Sequence, residues 1–273
     1  MITGNSTNVG QMSLIAVKAK AYVELLKTRL SFLVSFSSAF GYTLAMGGRV
    51  DWVQLTMLFL GGFLISGASC TVNQVIEKDL DKVMKRTSSR PLPTERLTKK
   101  EAIWYSVIVA IVGLLILAQW TNPLTVLLAS ISMVLYSFVY TPLKRVGPIA
   151  VFVGAIPGAL PPLLGWTAAT GMISHEALII FGIQFIWQFP HFWAIAWVAD
   201  EDYKKAGFKL LPVKGEKDLK TAFQIMTYTL FLIPLGLLPM YFGITGTNSA
   251  VVATVCGVLF LASTIKLMKD QSR

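Results

Sequence analysis

The sequence predicts an all-α fold, a polytopic bundle of helices that crosses a membrane several times. Three observations lead to this prediction. Of the 273 residues, 54% are hydrophobic and only 14% are charged, and the mean hydropathy is +0.63. The apolar residues form blocks of about the length that a helix needs to cross a bilayer. The charged residues lie between these blocks, and cations outnumber anions enough to give a net charge of +10.

The apolar blocks predict eight membrane spans within one domain, residues 1–273. They lie near residues 30–47, 54–73, 102–119, 123–141, 148–166, 175–199, 221–242 and 249–268. Residues 1–29 lack a compact apolar core, so we expect no cleavable signal and expect the first span to insert the chain. The proline-rich segment PGALPP at 157–162 is predicted to break or kink the fifth span.

The cations favour one side of the membrane. If the spans alternate in direction, only Arg49 of the 24 Lys and Arg residues falls on the side opposite the termini. The positive-inside rule then places both termini and two long loops, 74–101 and 200–220, in the cytoplasm. Topology and attraction to anionic membrane lipid therefore account for the basic charge, and no nucleic-acid partner is expected.

The stretch NQVIEKDLDKVMKRTSSRPLP at 73–93 places carboxylates and cations at the end of the second span. On a continuous helix, Asn73, Glu77 and Asp81 share one face. An oxygen-rich face suits a hard cation, and magnesium takes one or two carboxylates while water and phosphate fill its other positions. The stretch therefore predicts a membrane enzyme that handles a diphosphate.

Asp79 lies about 200° around a regular helix from Glu77, so it ranks below Glu77 and Asp81 as a ligand. It is as suited to pairing with Lys or Arg as to binding metal, unless the helix unwinds locally after Lys78. The nearby cations Lys78, Lys82, Arg86 and Arg90 are candidates for contact with phosphate oxygens.

The second loop reads DEDYKKAGFKLLPVKGEKDLK and begins where the sixth span leaves the membrane. Two acidic clusters at cytoplasmic helix ends suit two metal ions on one diphosphate. Because such a diphosphate must touch both loops, we expect the loops to converge and cap a cavity of several hundred Å³ between them and the sixth span. By themselves, two such loops are more often ordinary solvated connections.

The order of these motifs resembles that of the UbiA superfamily of intramembrane prenyltransferases, in its haem-farnesylating branch. Two segments resemble the two aspartate-rich motifs of that family: N-x3-E-x-D-x-D followed by KVMKRTSSRPLP, and DYKKAGFKLLPV. Three further segments are similar to this branch: YTPLKR at 140–145, PGALPPLLGW at 157–166 and WQFPHFWAIAW at 187–197. The resemblance runs from about Tyr22 to Lys266 and implies a helical bundle of the UbiA type.

The sequence departs from the family pattern in three places. Glu77 stands where aspartate is more frequent, which preserves the charge, and Thr28 stands where related sequences have proline. The family pattern has nine spans, and eight are predicted in this chain.

The resemblance implies a transferase of EC class 2 that moves a farnesyl group from farnesyl diphosphate to a vinyl group of haem b, giving haem O and diphosphate. It implies Mg2+ held by Asn73, Glu77, Asp79, Asp81 and Asp202, with Tyr203 as a further catalytic residue. It adds Lys144, Arg145, His191, Lys204 and Lys205 to the substrate-binding residues. It also implies that the protein is located in the cell inner membrane and that the product passes to a downstream haem enzyme or terminal oxidase.

Aromatic side chains are expected to shield an allylic cation from water. The candidates are Trp187, Phe189, Phe192, Trp193 and Tyr203. His191 alone is balanced between a hydrogen-bonded core histidine and a haem contact, and the WQFPHF segment favours haem.

The sequence leaves two alternatives open. An enzyme of the same superfamily with another aromatic acceptor keeps the diphosphate chemistry, and haem binding would distinguish the two. A transporter would place its carboxylates near the middle of the bilayer, whereas here they cluster at helix ends.

Overall fold

The computed structural model describes residues 5–212 and 216–271, and within these ranges it describes side chains from residue 15 to residue 269. All regular structure in these two ranges is helical, and they contain no strand. The helices are α1 (Asn5–Leu25), α2 (Thr28–Met46), α3 (Trp52–Ile76), α4 (Lys78–Val83), α5 (Lys99–Trp120), α6 (Pro123–Val134), α7 (Thr141–Leu143), α8 (Ile149–Thr170), α9 (His175–Val198), α10 (Asp200–Ala206), α11 (Leu219–Leu235), α12 (Leu238–Tyr241) and α13 (Thr247–Gln271). A π-helical segment, Leu135–Tyr140, joins α6 to α7.

The eight predicted spans correspond to helices of this bundle, with differences in the first and the seventh span and one additional helix. Seven helical segments in the described ranges are long and apolar enough to span a membrane, beginning with Trp52–Ile76 and ending with Thr247–Lys269. The first predicted span forms α2 but is not among the seven, because Arg29 and four serines make it more polar. The seventh is interrupted after Leu235, and α1 was not predicted.

Several helices are capped at their N-terminus by the side chain of the polar residue directly before them. The Asp51 side chain accepts hydrogen bonds from the amides of Val53 and Gln54 at the start of α3. Thr98 and Glu101 form a capping box at the start of α5. These side chains satisfy amides that have no partner within the helix, so they fix where each helix starts.

The core of the bundle is formed by α2, α3 and α8. α2 packs on both α3 and α8, α3 packs on α5, and α9 lies between α8 and α11. α2 and α8 approach closely because glycines face the contact: a Cβ on Gly165 would overlap the carbonyl oxygen of Ser38, and one on Gly41 would overlap that of Pro162. This packing leaves space between α2, α3 and α9.

Prolines shape two helices that border this space. Of the two outcomes predicted for 157–162, a break or a kink, the break is wrong, because α8 runs unbroken from Ile149 to Thr170. Pro162 cannot donate to the Gly158 carbonyl, and the Nε2 of Gln188 on α9 donates to it instead, at 3.0 Å. The π-helical segment lies just before Pro142, whose ring would collide with the Phe138 carbonyl in a regular α-helix.

Candidate active site

A cavity of about 560 Å³ lies inside the bundle. Its polar end is lined by Asn73, Glu77 and Asp81, and its walls continue along α2, α3, α8 and α9. Leu58 and Leu117 border it far from that polar end. A volume of several hundred Å³ is usual for a site that takes a small molecule or cofactor. The sequence predicted such a cavity between the two loops and the sixth span.

At the polar end of the cavity, each oxygen-bearing side chain meets a cation from another part of the chain. Lys144 Nζ lies 2.9 Å from Glu77 Oε1. Nη1 of Arg90 lies 2.9 and 2.8 Å from the two carboxylate oxygens of Asp81. Lys27 Nζ lies 3.1 Å from Asn73 Oδ1. The side chains of Asn73, Glu77 and Asp81 are all buried, so each is compensated by its partner.

The first motif is not one continuous helix. α3 ends at Ile76, and Glu77 forms a turn with φ −91° and ψ 7° before α4 begins at Lys78. Asn73, Glu77 and Asp81 nevertheless all face the cavity, as their spacing predicted. Asp79 points away: its side chain is 77% exposed, and its nearest cation is Lys99 Nζ, at 3.5 Å. The structure therefore does not bring Asp79 together with the other expected ligands.

Asp202 joins the two long loops instead of facing the cavity. Its Oδ1 accepts from the amide of Lys85 at 2.9 Å, and its Oδ2 accepts from the amide of Arg86 at 3.0 Å. These two hydrogen bonds lower the pKa of Asp202 below its usual range. Beside them, Met84, Ala206 and Phe208 form a small core. Both carboxylate oxygens of Asp202 are thus engaged by the first loop.

The other predicted site residues divide into two groups. Arg86, Arg90, Lys144, His191 and Tyr203 line the cavity. Five do not line it: Lys78, Lys82, Arg145, Lys204 and Lys205. Lys78 and Lys82 lie 3.7 and 3.8 Å from Glu95, and Lys204 lies 2.8 Å from Asp200. Four of the five are exposed, whereas the side chain of Lys78 is only 15% exposed but faces Glu95 and not the cavity.

The aromatic candidates also divide. Trp187 and Phe192 line the cavity, and the ring of Trp187 stacks on His191 with centroids 4.4 Å apart. Phe189 and Trp193 belong to a buried cluster against Tyr228 and do not line the cavity. These two candidates therefore do not face the cavity in which a cation would be shielded.

Lys27 is a cavity residue that the sequence did not single out. Its backbone is left-handed, with φ 45° and ψ 57°, which is uncommon for a residue with a side chain. Such a conformation costs energy and often marks a functional site. Part of the side chain remains exposed, but burial of its amino group lowers the pKa of Lys27 to about 8. The only feature of the sequence that could have indicated this role is the position of the lysine directly before a span.

Tyr136 and Tyr140 are two further lining residues that the sequence did not single out. Their ring centroids lie 5.5 Å apart, and Tyr140 lies 5.5 Å from Phe192. Lys144 Nζ lies 4.9 Å from the centroid of the Tyr140 ring. Both tyrosines belong to the π-helical segment, which sequence periodicity did not predict.

The model of the UbiA prenyltransferase family matches residues 34–273. The chain belongs to the UbiA prenyltransferase family. A protoheme IX farnesyltransferase from Cytophaga hutchinsonii is 52% identical over 258 residues, which cover 94% of this chain and 90% of the relative. One from Flavobacterium psychrophilum is 46% identical, over 92% of this chain and 85% of the relative.

Solved structures of UbiA proteins share the fold. A structure of digeranylgeranylglyceryl phosphate synthase superposes with a TM-score of 0.74 at 22% identity, covering 92% of this chain and 88% of that one. A UbiA homologue from Archaeoglobus fulgidus, bound to DMAPP and Mg2+, has a TM-score of 0.68 at 19% identity, covering 90% of this chain and 85% of that one. At these identities the likeness establishes the UbiA-type helical bundle.

The donor set at the polar end of the cavity fits a magnesium ion. The described residues contain no group of three or more His, Cys, Asp and Glu side chains arranged to hold a metal. They do supply two carboxylates and one amide oxygen to one cavity wall, from Glu77, Asp81 and Asn73. Magnesium uses few carboxylates and completes its shell with water and phosphate, so this set matches its chemistry.

Proposed function

We propose that this chain catalyses farnesyl transfer from farnesyl diphosphate to a vinyl group of haem b, giving haem O and diphosphate. One observation carries the proposal. A single cavity joins a polar end of paired charges to an aromatic wall inside a membrane bundle whose relatives are protoheme IX farnesyltransferases. The diphosphate suits the polar end, and the farnesyl chain and haem b, which are both soluble in the membrane, suit the apolar walls.

The residues of the polar end support departure of the diphosphate. Lys27, Arg90 and Lys144 lie beside the expected position of the phosphate oxygens, where cations stabilise a leaving group that gains charge. We propose that Asn73, Glu77 and Asp81 hold Mg2+, which, when bound, would neutralise further charge on the leaving diphosphate. Asp202 then acts by holding the two loops together.

The aromatic wall supports the second half of the reaction. When the C–O bond of farnesyl diphosphate breaks, its electron pair leaves with diphosphate and an allylic cation remains. Faces of Tyr136, Tyr140 and Phe192 provide negative ring density beside it and exclude water. The vinyl π electrons of haem b form the new C–C bond, and water then adds at the vinyl carbon and loses a proton, which gives the hydroxyethylfarnesyl group.

Several finer assignments belong to the same proposal. His191, stacked on Trp187 in the cavity wall, contacts haem. Loops 74–101 and 200–220 cap the site from the cytoplasmic side of the cell inner membrane. The product passes to a downstream haem enzyme or terminal oxidase.

The test is the haem content of cells with and without the protein. Mass spectrometry of extracted haems should show haem O only where the chain is produced, and purified protein should convert haem b when farnesyl diphosphate and Mg2+ are supplied. A purified, folded protein that binds no haem and prenylates another aromatic acceptor would identify the alternative UbiA activity.

A further inference from the structure

The carboxamide of Asn73 lies between two side chains that together determine its orientation. On one side, Lys27 Nζ is 3.1 Å from Oδ1. An ammonium group only donates hydrogen bonds, so it requires the oxygen of the amide. On the other side, Thr141 Oγ1 is 3.2 Å from Nδ2.

The hydroxyl of Thr141 can only accept from Asn73. Its Oγ1 lies 2.8 Å from the carbonyl oxygen of Tyr136, which has no proton to give. The single hydroxyl proton is therefore directed to that carbonyl, and the oxygen of Thr141 must receive a proton from its other neighbour. That neighbour is the NH2 group of Asn73, so Lys27 and Thr141 independently require the same orientation.

The π-helical segment makes this arrangement possible. In a regular helix, a threonine hydroxyl reaches the carbonyl three or four residues before it. Thr141 directly follows the widened turn Leu135–Tyr140 and reaches five residues back, to Tyr136. Thr141 is 2% exposed, so bulk water does not compete for its hydroxyl.

We propose that Thr141 is a positioning residue for the magnesium site: its hydroxyl holds the Asn73 amide so that Oδ1 faces the cavity. The inference rests on the proposed function, in which Asn73 is a metal ligand. If Lys27 moves from Oδ1 to the diphosphate, the contact with Thr141 still prevents the amide from presenting its NH2 group to the cation.

Mn2+ binding in the presence of inorganic diphosphate provides the test, followed by electron paramagnetic resonance on the purified, full-length protein. Thr141→Val removes the acceptor at nearly constant volume. We expect it to weaken Mn2+ affinity about tenfold, the scale on which partners of metal ligands act. Thr141→Ser keeps the hydroxyl and should restore affinity.

Two further variants separate positioning from packing. Thr229→Val is the matched control, because Thr229 is a buried threonine of α11 whose hydroxyl donates to the Ile225 carbonyl away from the cavity. It should leave Mn2+ affinity unchanged. Asn73→Asp replaces the amide by a carboxylate, which presents an oxygen to the cation in either orientation. In that background Thr141→Val should therefore cost no Mn2+ affinity.

The outcomes also separate this inference from the proposed function. If Asn73→Ala weakens Mn2+ binding and Thr141→Val does not, the positioning role is wrong and the metal site stands. If neither variant weakens binding, Asn73 is not a ligand and both assignments fall. A folded Thr141→Ser protein that binds Mn2+ as weakly as Thr141→Val also contradicts the role of the hydroxyl, and an unaltered protein that binds no Mn2+ overturns the metal proposal and this one together.

Discussion

Glu77 and Asp81 are buried carboxylates whose charges are balanced by cations distant in sequence or in the following loop. Lys144 follows the π-helical segment, and Arg90 lies nine residues after Asp81. Removing one member of such a pair leaves an uncompensated buried charge and is strongly destabilising. Tests of these residues therefore need substitutions that keep the shape of the side chain, and a measurement of folding beside the measurement of turnover.

The first prediction concerns the two carboxylates that face the cavity. Glu77→Gln and Asp81→Asn should each lower haem O formation at least about a hundredfold, since each removes a charge needed as the diphosphate leaves. Asp79→Asn is the control from the same motif, and it should have little effect because Asp79 is exposed. Turnover is compared at matched amounts of folded protein and saturating Mg2+. Near-normal turnover in both cavity variants would refute the metal assignment.

Lys27 gives a prediction about pH. Its pKa of about 8 lies below the ordinary value of 10.5, so the amino group is charged below about pH 8 and neutral above it. A charged Lys27 attracts the diphosphate, and kcat/KM reports the ionisation of the free enzyme. The value of kcat/KM for farnesyl diphosphate should therefore fall as pH rises through about 8.

Lys27→Arg should remove this fall, because arginine stays charged throughout the range. Lys20→Arg, an exposed substitution on α1, should leave the profile as it is. An unchanged profile in Lys27→Arg would show that another group titrates.

At the scale of elements, the two long loops are joined through α10. Asp202 on α10 accepts hydrogen bonds from two successive amides of the first loop, and Phe208 packs beside Met84. The sequence predicted that these loops would converge. It did not predict that the Asp202 side chain would accept from backbone amides of the first loop, because a motif specifies residue types and not which groups their oxygens accept from.

The loop contact can be measured by hydrogen exchange. Asp202→Ala removes the acceptor of the Lys85 and Arg86 amides, and both should then exchange faster. Asp218→Ala is the matched control, because Asp218 also accepts from a backbone amide, that of Thr221, but at the start of α11. It should leave exchange at residues 85 and 86 unchanged. Equal exchange in Asp202→Ala and the unaltered protein would contradict this role.

For the whole molecule, hydropathy was sufficient to predict the order of the spanning segments, because each span must bury its backbone and present an apolar surface. It did not predict α1 or the interruption after Leu235. Spacing was sufficient to bring Asn73, Glu77 and Asp81 to one face. The turn at Glu77, the left-handed Lys27 and the π-helical segment were not predicted. They depend on how α2, α3 and the segment before α8 meet, and such contacts leave no periodic pattern in the chain.

The distribution of cations makes a last prediction, about orientation. Single cysteines are introduced in a Cys256→Ser background, since Cys256 is exposed while Cys70 is buried. With both long loops in the cytoplasm, Ser88→Cys and Lys214→Cys, the latter outside the described residues, should react with a membrane-impermeant maleimide only in inside-out vesicles. Asn248→Cys, at the start of α13, should react only in spheroplasts. Labelling of Ser88→Cys and Lys214→Cys from opposite sides would separate the loops and with them the proposed site, whereas a complete reversal of all three would keep the site and place it on the outer face.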